Sequence, residues 1–141
     1  PYGNLTAFRY VLKTIASGAV EGGDSTTAVA SGDTVKIGLL PAGFRLIDSE
    51  IIVKTGLTAT ITAKAGFAYA DGVDSTAVPQ DDDFFGTGIA VATAGRYRNA
   101  TSNASVTLPK EAWLTLTTAV AANAKASELE IIVFAINEGV A

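Results

Sequence analysis

The sequence contains no cysteine, no histidine and no methionine. Without cysteine there is no disulfide framework and no thiolate nucleophile. Without histidine there is neither a Ser-His-Asp triad nor the usual set of zinc ligands. Two catalytic designs survive, a carboxylate pair for glycoside hydrolysis and a serine with a lysine base, and neither has a local signature here. We therefore predict that the chain is not an enzyme and has no catalytic residues, no metal site and no cofactor.

Basic residues and long apolar runs are also scarce. Ten lysines and arginines stand against fourteen acids, and the bases are scattered except at Arg96-Tyr97-Arg98. A nucleic-acid binder needs a concentrated basic surface, so we expect no nucleic-acid partner. The longest strongly apolar run is 131–136, far short of the roughly 20 residues of a membrane-spanning helix. We therefore expect no membrane partner.

The length of 141 residues is typical of one domain. No internal repeat or linker divides the chain, so we predict a single domain over 1–141. The first residue, Pro1, is compatible with removal of an initiator methionine. Residues 2–13 alternate in polarity instead of forming a basic segment and an apolar run, so we expect no secretory signal.

The dominant hydrophobic period is two, as in half-buried antiparallel strands. It is clearest at 35–39, 47–53, 61–69 and 114–116. Turn residues separate the alternating runs. The pattern predicts an all-β, eight-stranded antiparallel jelly-roll sandwich. An immunoglobulin-like sandwich is the alternative, but the Cys–Trp–Cys spacing of that fold is absent from the sequence. The only helical candidate is 119–127, with one or two turns at best. The predicted strands lie near 5–16, 33–39, 45–55, 59–69, 86–93, 104–108, 112–119 and 128–137.

Acidic residues fall into two groups. Those of the regular strands take outward or edge phases and predict a solvated sheet face: Asp48, Glu50, Glu128 and Glu130. The other group lies in 71–83, which contains five aspartates and no base. Calcium is one interpretation of this segment, but the spacing differs from that of a calcium loop, so we favour a mobile acidic loop.

Three aromatic residues raise the question of contact with another chain. Phe84 and Phe85 are adjacent, so on a strand only one ring can enter the core. The other either folds back onto the sandwich or forms an apolar plug for a partner. Trp113 takes the outward phase, opposite Leu114 and Leu116. It is either an interface anchor or a side chain covered by a loop of its own chain.

The first and last predicted strands are apolar on both faces. The first carries Phe8, Tyr10 and Leu12 on one side and Val11 and Ile15 on the other. The last has an apolar row on each side, at 129, 131 and 133 and at 132, 134 and 136. Such strands are covered on both faces, so we predict a homo-oligomer that packs through their sheet. We expect Arg96 and Arg98 to pair with carboxylates at the contacts. The full predicted interface set is Phe8, Tyr10, Phe84, Phe85, Arg96, Arg98, Trp113, Ile132, Phe134 and Ile136.

The run from Lys36 to Asp48 reads KIGLLPAGFRLID: a strand ends in Leu-Pro-Ala-Gly and the next begins at once. With the Asp71-Gly72 turn, it resembles the jelly-roll cement (head-decoration) proteins of tailed bacteriophages, the family of a Bordetella phage cement protein. The resemblance implies a homodimeric structural virion protein, made in the host cytoplasm. It would bind major capsid protein on the outside of an icosahedral capsid and cement neighbouring subunits. A phage tail, receptor-binding or carbohydrate-binding jelly roll is the alternative.

Overall fold

The computed structural model describes residues 4–23 and 25–138, and the regular structure of these residues is entirely β. No helix among them is long and apolar enough to cross a membrane. Alternating side chains point into the interior and outward along most strands, as the period of two predicts. The strands are β1 (Leu5–Thr14), β2 (Thr34–Leu40), β3 (Phe44–Thr55), β4 (Thr62–Tyr69), β5 (Asp81–Ile89), β6 (Gly95–Arg98), β7 (Val106–Thr107), β8 (Ala112–Ala119) and β9 (Ser127–Asn137).

The strands form two antiparallel sheets. Sheet A has the order β1-β9-β3-β6, with β7 also paired to β3, and sheet B has the order β2-β8-β4-β5. Each sheet interleaves early and late strands, which is the jelly-roll arrangement. The predicted fold is therefore confirmed, with nine strands instead of eight. The additional strand is β6, which was not predicted. It shares one edge of β3 with β7: Ile51 pairs with Tyr97 of β6, and Leu46 pairs with Val106 of β7.

The core lies between the inner faces of the two sheets. β9 runs through the middle of sheet A and contributes Leu129, Ile131 and Val133, all at most 1% exposed. β8 holds the same position in sheet B and contributes Leu114 and Leu116. Burial of such a side chain stabilises the fold by about 1.5–3 kcal/mol. Because these buried side chains fix β8 and β9 in the core, the residues that alternate with them lie at fixed positions on the outer faces of the two sheets.

Residues 119–127 form no helical turn, so that prediction is wrong. The backbone leaves the α region at Val120, whose φ is 82°. It is then held by Asn123, whose N–H donates to Val29 O at 2.8 Å. The Asn123 side chain is 1% exposed and bonds to Thr58 and to Thr14 and Gly18, which belong to two other parts of the chain. Tertiary hydrogen bonds thus fix this segment in an irregular path.

Candidate interaction surfaces

The outer face of sheet A carries an apolar row along its middle strand. Ile132, Phe134 and Ile136 point outward from β9 and are half-buried, while the residues between them are buried. The predicted phases of this strand are thus confirmed. Leu5, which is 61% exposed, lies opposite Ile136 in the register of β1 and β9. Ile47 of β3, 42% exposed, adds a further apolar side chain. Three strands of sheet A therefore expose apolar side chains.

Ion pairs flank this row on both sides. The outward phase predicted for the strand acids is correct, and each carboxylate contacts a base on a neighbouring strand. Arg9 pairs with Glu130. Lys13 and Lys54 lie 3.9 and 3.8 Å from the carboxylate oxygens of Glu128. Arg45 lies opposite Ile136 and pairs with Glu138. Six bases and five acids therefore leave this face almost neutral, whereas the whole chain carries a charge of −4.

Arg96 and Arg98 of β6 complete this charged border. Arg96 Nη1 lies 2.9 Å from the carboxylate of Glu50. Arg98 donates to Asp48, and this hydrogen bond raises the pKa of the Arg98 guanidinium. The carboxylates that these arginines contact in the structure are thus in their own chain. Both arginine side chains stay about two-thirds exposed, so they remain accessible at the surface.

Phe8 and Tyr10 do not lie on this outer face. Both point inward from β1 and pack against the core. The ring of Phe8 meets Phe44 edge-on, with centroids 5.0 Å apart. The Tyr10 hydroxyl donates to Leu39 O in sheet B. Their place in the predicted interface set is therefore corrected: they join the two sheets along one edge of the sandwich.

Both rings of the Phe84-Phe85 pair are buried, at 6% and 2% exposure. The prediction that only one of them enters the core is wrong, because β5 is irregular. Ala65 pairs with Gly86, but Phe67, two residues further along β4, pairs with Asp81. Three extra residues of β5 therefore bulge out of the ladder, which breaks the alternation of side chains. Neither ring is available as an exposed plug.

Two aspartates of the acidic segment 71–83 form ion pairs with lysines from other parts of the chain. Lys110 lies 2.9 Å from the Asp71 carboxylate and also donates to Val73 O. The hydrogen bond from Lys110 to the Asp71 carboxylate holds the pKa of Asp71 below its usual value. Lys64 of β4 lies 2.7 Å from Asp82. Sequence reasoning missed both pairs because the lysines are remote along the chain.

Three carboxylates of this segment, those of Asp81, Asp82 and Asp83, lie within 4.8 Å of one another. The Asp81 carboxylate raises the pKa of Asp83, first through their hydrogen bond and then through its charge. Gly66 allows this close path, because a Cβ there would lie 2.0 Å from Asp81 O. These aspartates form an acidic patch at the edge of sheet B, partly neutralised by Lys64.

Trp113 lies on the outer face of sheet B, as its phase predicts, while Leu114 and Leu116 are buried. It lines an open cleft of about 620 Å³. The Lys36 ammonium lies 5.6 Å from the centroid of the Trp113 ring. The cleft lies between β2 and residues 20–23 and 25–29 of the same chain, which sequence reasoning could not place beside the tryptophan. Its lining is Val20, Gly22, Gly23, Ser25, Thr27, Ala28, Val29, Asp33, Thr34, Val35, Lys36 and Trp113.

Comparison with known proteins gives matches in structure alone. No protein-family model matches the chain, and no curated protein sequence matches it. A chain in the capsid of Ralstonia phage GP4 aligns with a TM-score of 0.65 at 18% identity, over 99% of this chain and 87% of that one. A chain in the capsid asymmetric unit of cyanophage Pam1 aligns with a TM-score of 0.63 at 14% identity, over 94% and 84%.

A chain in the acidic stable capsid structure of Helicobacter pylori bacteriophage KHP30 aligns with a TM-score of 0.53 at 10% identity, over 93% of this chain and 88% of that one. Identities this low establish similarity of fold. Over more than nine-tenths of its length, this chain therefore shares its fold with chains found in three solved phage capsids.

Proposed function

We propose that this chain is a structural virion protein: a head-decoration (cement) protein that binds the outside of an icosahedral phage capsid as one jelly-roll domain. The observation that carries the proposal is the fold, which aligns over 99% of the chain with a capsid chain of Ralstonia phage GP4. The resemblance of residues 36–48 to cement proteins supports it independently. In this role the chain binds major capsid protein and a second copy of itself.

The outer face of sheet A is the proposed contact surface. Its apolar row of Ile132, Phe134 and Ile136 provides area that a partner can cover. The ion pairs on either side form a polar border, the arrangement of a protein–protein interface with an apolar centre and a charged rim. Arg96 and Arg98 remain exposed enough to exchange their carboxylate partners on docking. A copy that contacts several subunits gains strength from effective concentration, so each contact can be modest.

Decoration of capsids tests this proposal directly. Purified protein is added to capsids of its phage that lack it, and occupancy is measured by cryo-electron microscopy. We expect added density on the outer surface at saturation. Phe134→Ser should lower the affinity about 30-fold, since a central aromatic contact contributes about 2 kcal/mol or more. Val73→Ser removes an exposed apolar side chain, 62% exposed, from the loop between β4 and β5, and should leave the affinity within twofold.

Absence of density on such capsids would refute the proposal. An equal loss of affinity with Phe134→Ser and Val73→Ser would contradict the placement of the contact on the outer face of sheet A. The second copy is tested by light scattering at micromolar concentration, where we expect the mass of a dimer. A monomeric mass there would remove self-association from the proposal.

A further inference from the structure

One edge of sheet B is open to another chain. β2 pairs with β8 on one side, and no other strand of the described residues lies on its other side. Within 4–23 and 25–138, no backbone hydrogen bond joins β2 to residues 20–29 across the cleft. We propose that the free edge of β2 accepts an extended segment of a neighbouring shell protein as an added strand, with an apolar side chain of that segment against Trp113.

The free N–H and C=O groups can be assigned to particular residues. The Thr118 N–H donates to Asp33 O at 3.1 Å, so this pair is one of the hydrogen-bonded pairs of the ladder. Hydrogen-bonded and non-hydrogen-bonded pairs alternate in antiparallel sheets. Val35, opposite Leu116, therefore bonds to β8, whereas the backbone groups of Thr34 and Lys36 point towards the cleft. An added strand would bond to these groups.

Tyr10 limits the open edge at its far end. The Tyr10 hydroxyl donates a hydrogen bond to Leu39 O, so this carbonyl already has a partner. The Tyr10 ring lies over Gly38, where a Cβ would be 2.3 Å from a ring carbon. The open part of β2 is therefore 34–37, which spans about 13 Å and accommodates about four residues of an extended segment. The cleft volume lies within the usual range of binding sites, so an added segment has room beside β2.

The side chains of the cleft favour a peptide over a sugar. A sugar needs polar side chains around the tryptophan ring that are free to bond its hydroxyls. The carboxylate of Asp33 already accepts from the Ala30 N–H at 2.8 Å. The hydroxyl of Thr34 is bonded to that of Thr117 at 2.9 Å. Beside the Lys36 ammonium and the hydroxyls of Ser25 and Thr27, the rest of the lining consists of the backbone groups of the β2 edge and apolar side chains, which match an extended, β-forming segment.

The inference rests on the proposed function only for the source of the segment. The probe is a set of eight-residue peptides that tile the major capsid protein, together with a random eight-residue library. Binding to the full chain is followed by the fluorescence of Trp113, its one tryptophan, and by hydrogen exchange. We expect a bound peptide to shift the emission and to slow exchange at the Thr34 and Lys36 amides at least tenfold, with little change at Val35.

A matched pair of variants isolates the backbone contact. Lys36→Pro removes the free N–H and should weaken binding at least tenfold. Lys36→Ala also loses the lysine side chain but keeps the N–H, and should stay within threefold. If Lys36→Pro fails to melt cooperatively, the exchange pattern of the unsubstituted chain decides the question.

Several outcomes separate this inference from the proposed function. If the chain decorates capsids but no peptide protects Thr34 and Lys36, the added strand is refuted and the proposed function stands. If library peptides protect these amides but capsids are not decorated, the edge site stands and the shell protein is excluded as its source. If the chain binds a sugar on a glycan array, and the same sugar in solution changes the emission of Trp113, the cleft is a sugar site and the inference is overturned.

Discussion

The buried amide of Asn123 offers the sharpest test of how this fold is held together. Its Oδ1 accepts from the N–H and the hydroxyl of Thr58, at 3.1 and 3.2 Å. Its Nδ2 donates to Lys125 O, Gly18 O and the Thr14 hydroxyl, at 3.0–3.2 Å. One side chain therefore joins its own loop to two segments that are remote in sequence, around 14–18 and at Thr58. We expect Asn123→Ala to destabilise the chain by about 2–4 kcal/mol.

The magnitude follows from which groups lose their partners. Gly18 O also accepts from the Val29 N–H, and Lys125 O also accepts from the Thr14 hydroxyl, so the acceptors stay satisfied. The part-buried Thr58 N–H has no other described partner, and leaving such a donor unpaired costs about 1–3 kcal/mol. The space left by the amide adds about 1 kcal/mol. The sum is a large share of the roughly 5–15 kcal/mol by which a domain is stable.

Urea unfolding followed by Trp113 fluorescence measures this, at one fixed protein concentration. With a slope of about 2 kcal/mol per molar urea, the midpoint should fall by about 1–2 M. Asn123→Asp should be worse than Asn123→Ala at pH 7, because burial raises the pKa of a carboxyl and penalises its charge. This excess should shrink as the pH falls and should vanish below the unfolded pKa of about 3.9, where both states are protonated.

The control for this test is Lys125→Ala, an exposed side chain in the same loop, which should change stability by no more than about 0.5 kcal/mol. A loss below 1 kcal/mol for Asn123→Ala would refute the reasoning. So would an Asn123→Asp variant as stable at pH 7 as Asn123→Ala.

Three further predictions concern the turn at Val120 and the acidic patch. Val120→Asn should raise the melting temperature by roughly 2–4 °C, because asparagine tolerates the φ of 82° better than a β-branched residue, whereas Val73→Asn should not. Gly66→Ala should destabilise the chain by about 1–3 kcal/mol in urea, because the added Cβ meets Asp81 O, and an unchanged midpoint would contradict the close path of β5. Asp83→Asn should raise the melting temperature at pH 7 by roughly 1–2 °C, the size of one exposed charge pair. Since the pKa of Asp83 is raised in the folded state, this gain should vanish below about pH 4, where both states carry the proton, and a gain that persists there would count against the Asp81 contact.

Alternation of polarity was enough to predict the regular strands. The inward rows of β8 and β9 follow from a period of two, and the outward phases of Trp113 and Phe134 follow with them. β5 could not be predicted this way, because its bulge places Phe84 and Phe85 on the same side. β6 was missed because only four residues pair there, too few for a period to show.

The surfaces were harder to predict than the strands, since their partners come from distant parts of the chain. The acidic segment looks unpaired until the fold brings Lys64 and Lys110 beside it. The Trp113 cleft depends on residues from 20–23 and 25–29, a part of the sequence that has no hydrophobic periodicity. Asn123 lies in an Ala-rich stretch whose local preference is helical, and tertiary hydrogen bonds override that preference.

The central position of β9 in sheet A has a kinetic consequence. β9 is the last strand of the described chain, yet β1 and β3 both pair with it and not with each other. Because Leu5 pairs with Ile136, sheet A cannot be completed on a growing chain before β9 has been made. Closing so long a loop is slow, which puts folding in the millisecond-to-second range typical of such topologies. Until β9 pairs with them, β1 and β3 have unpaired backbone groups along the edges that β9 later occupies, and unpaired strand edges of this kind promote aggregation.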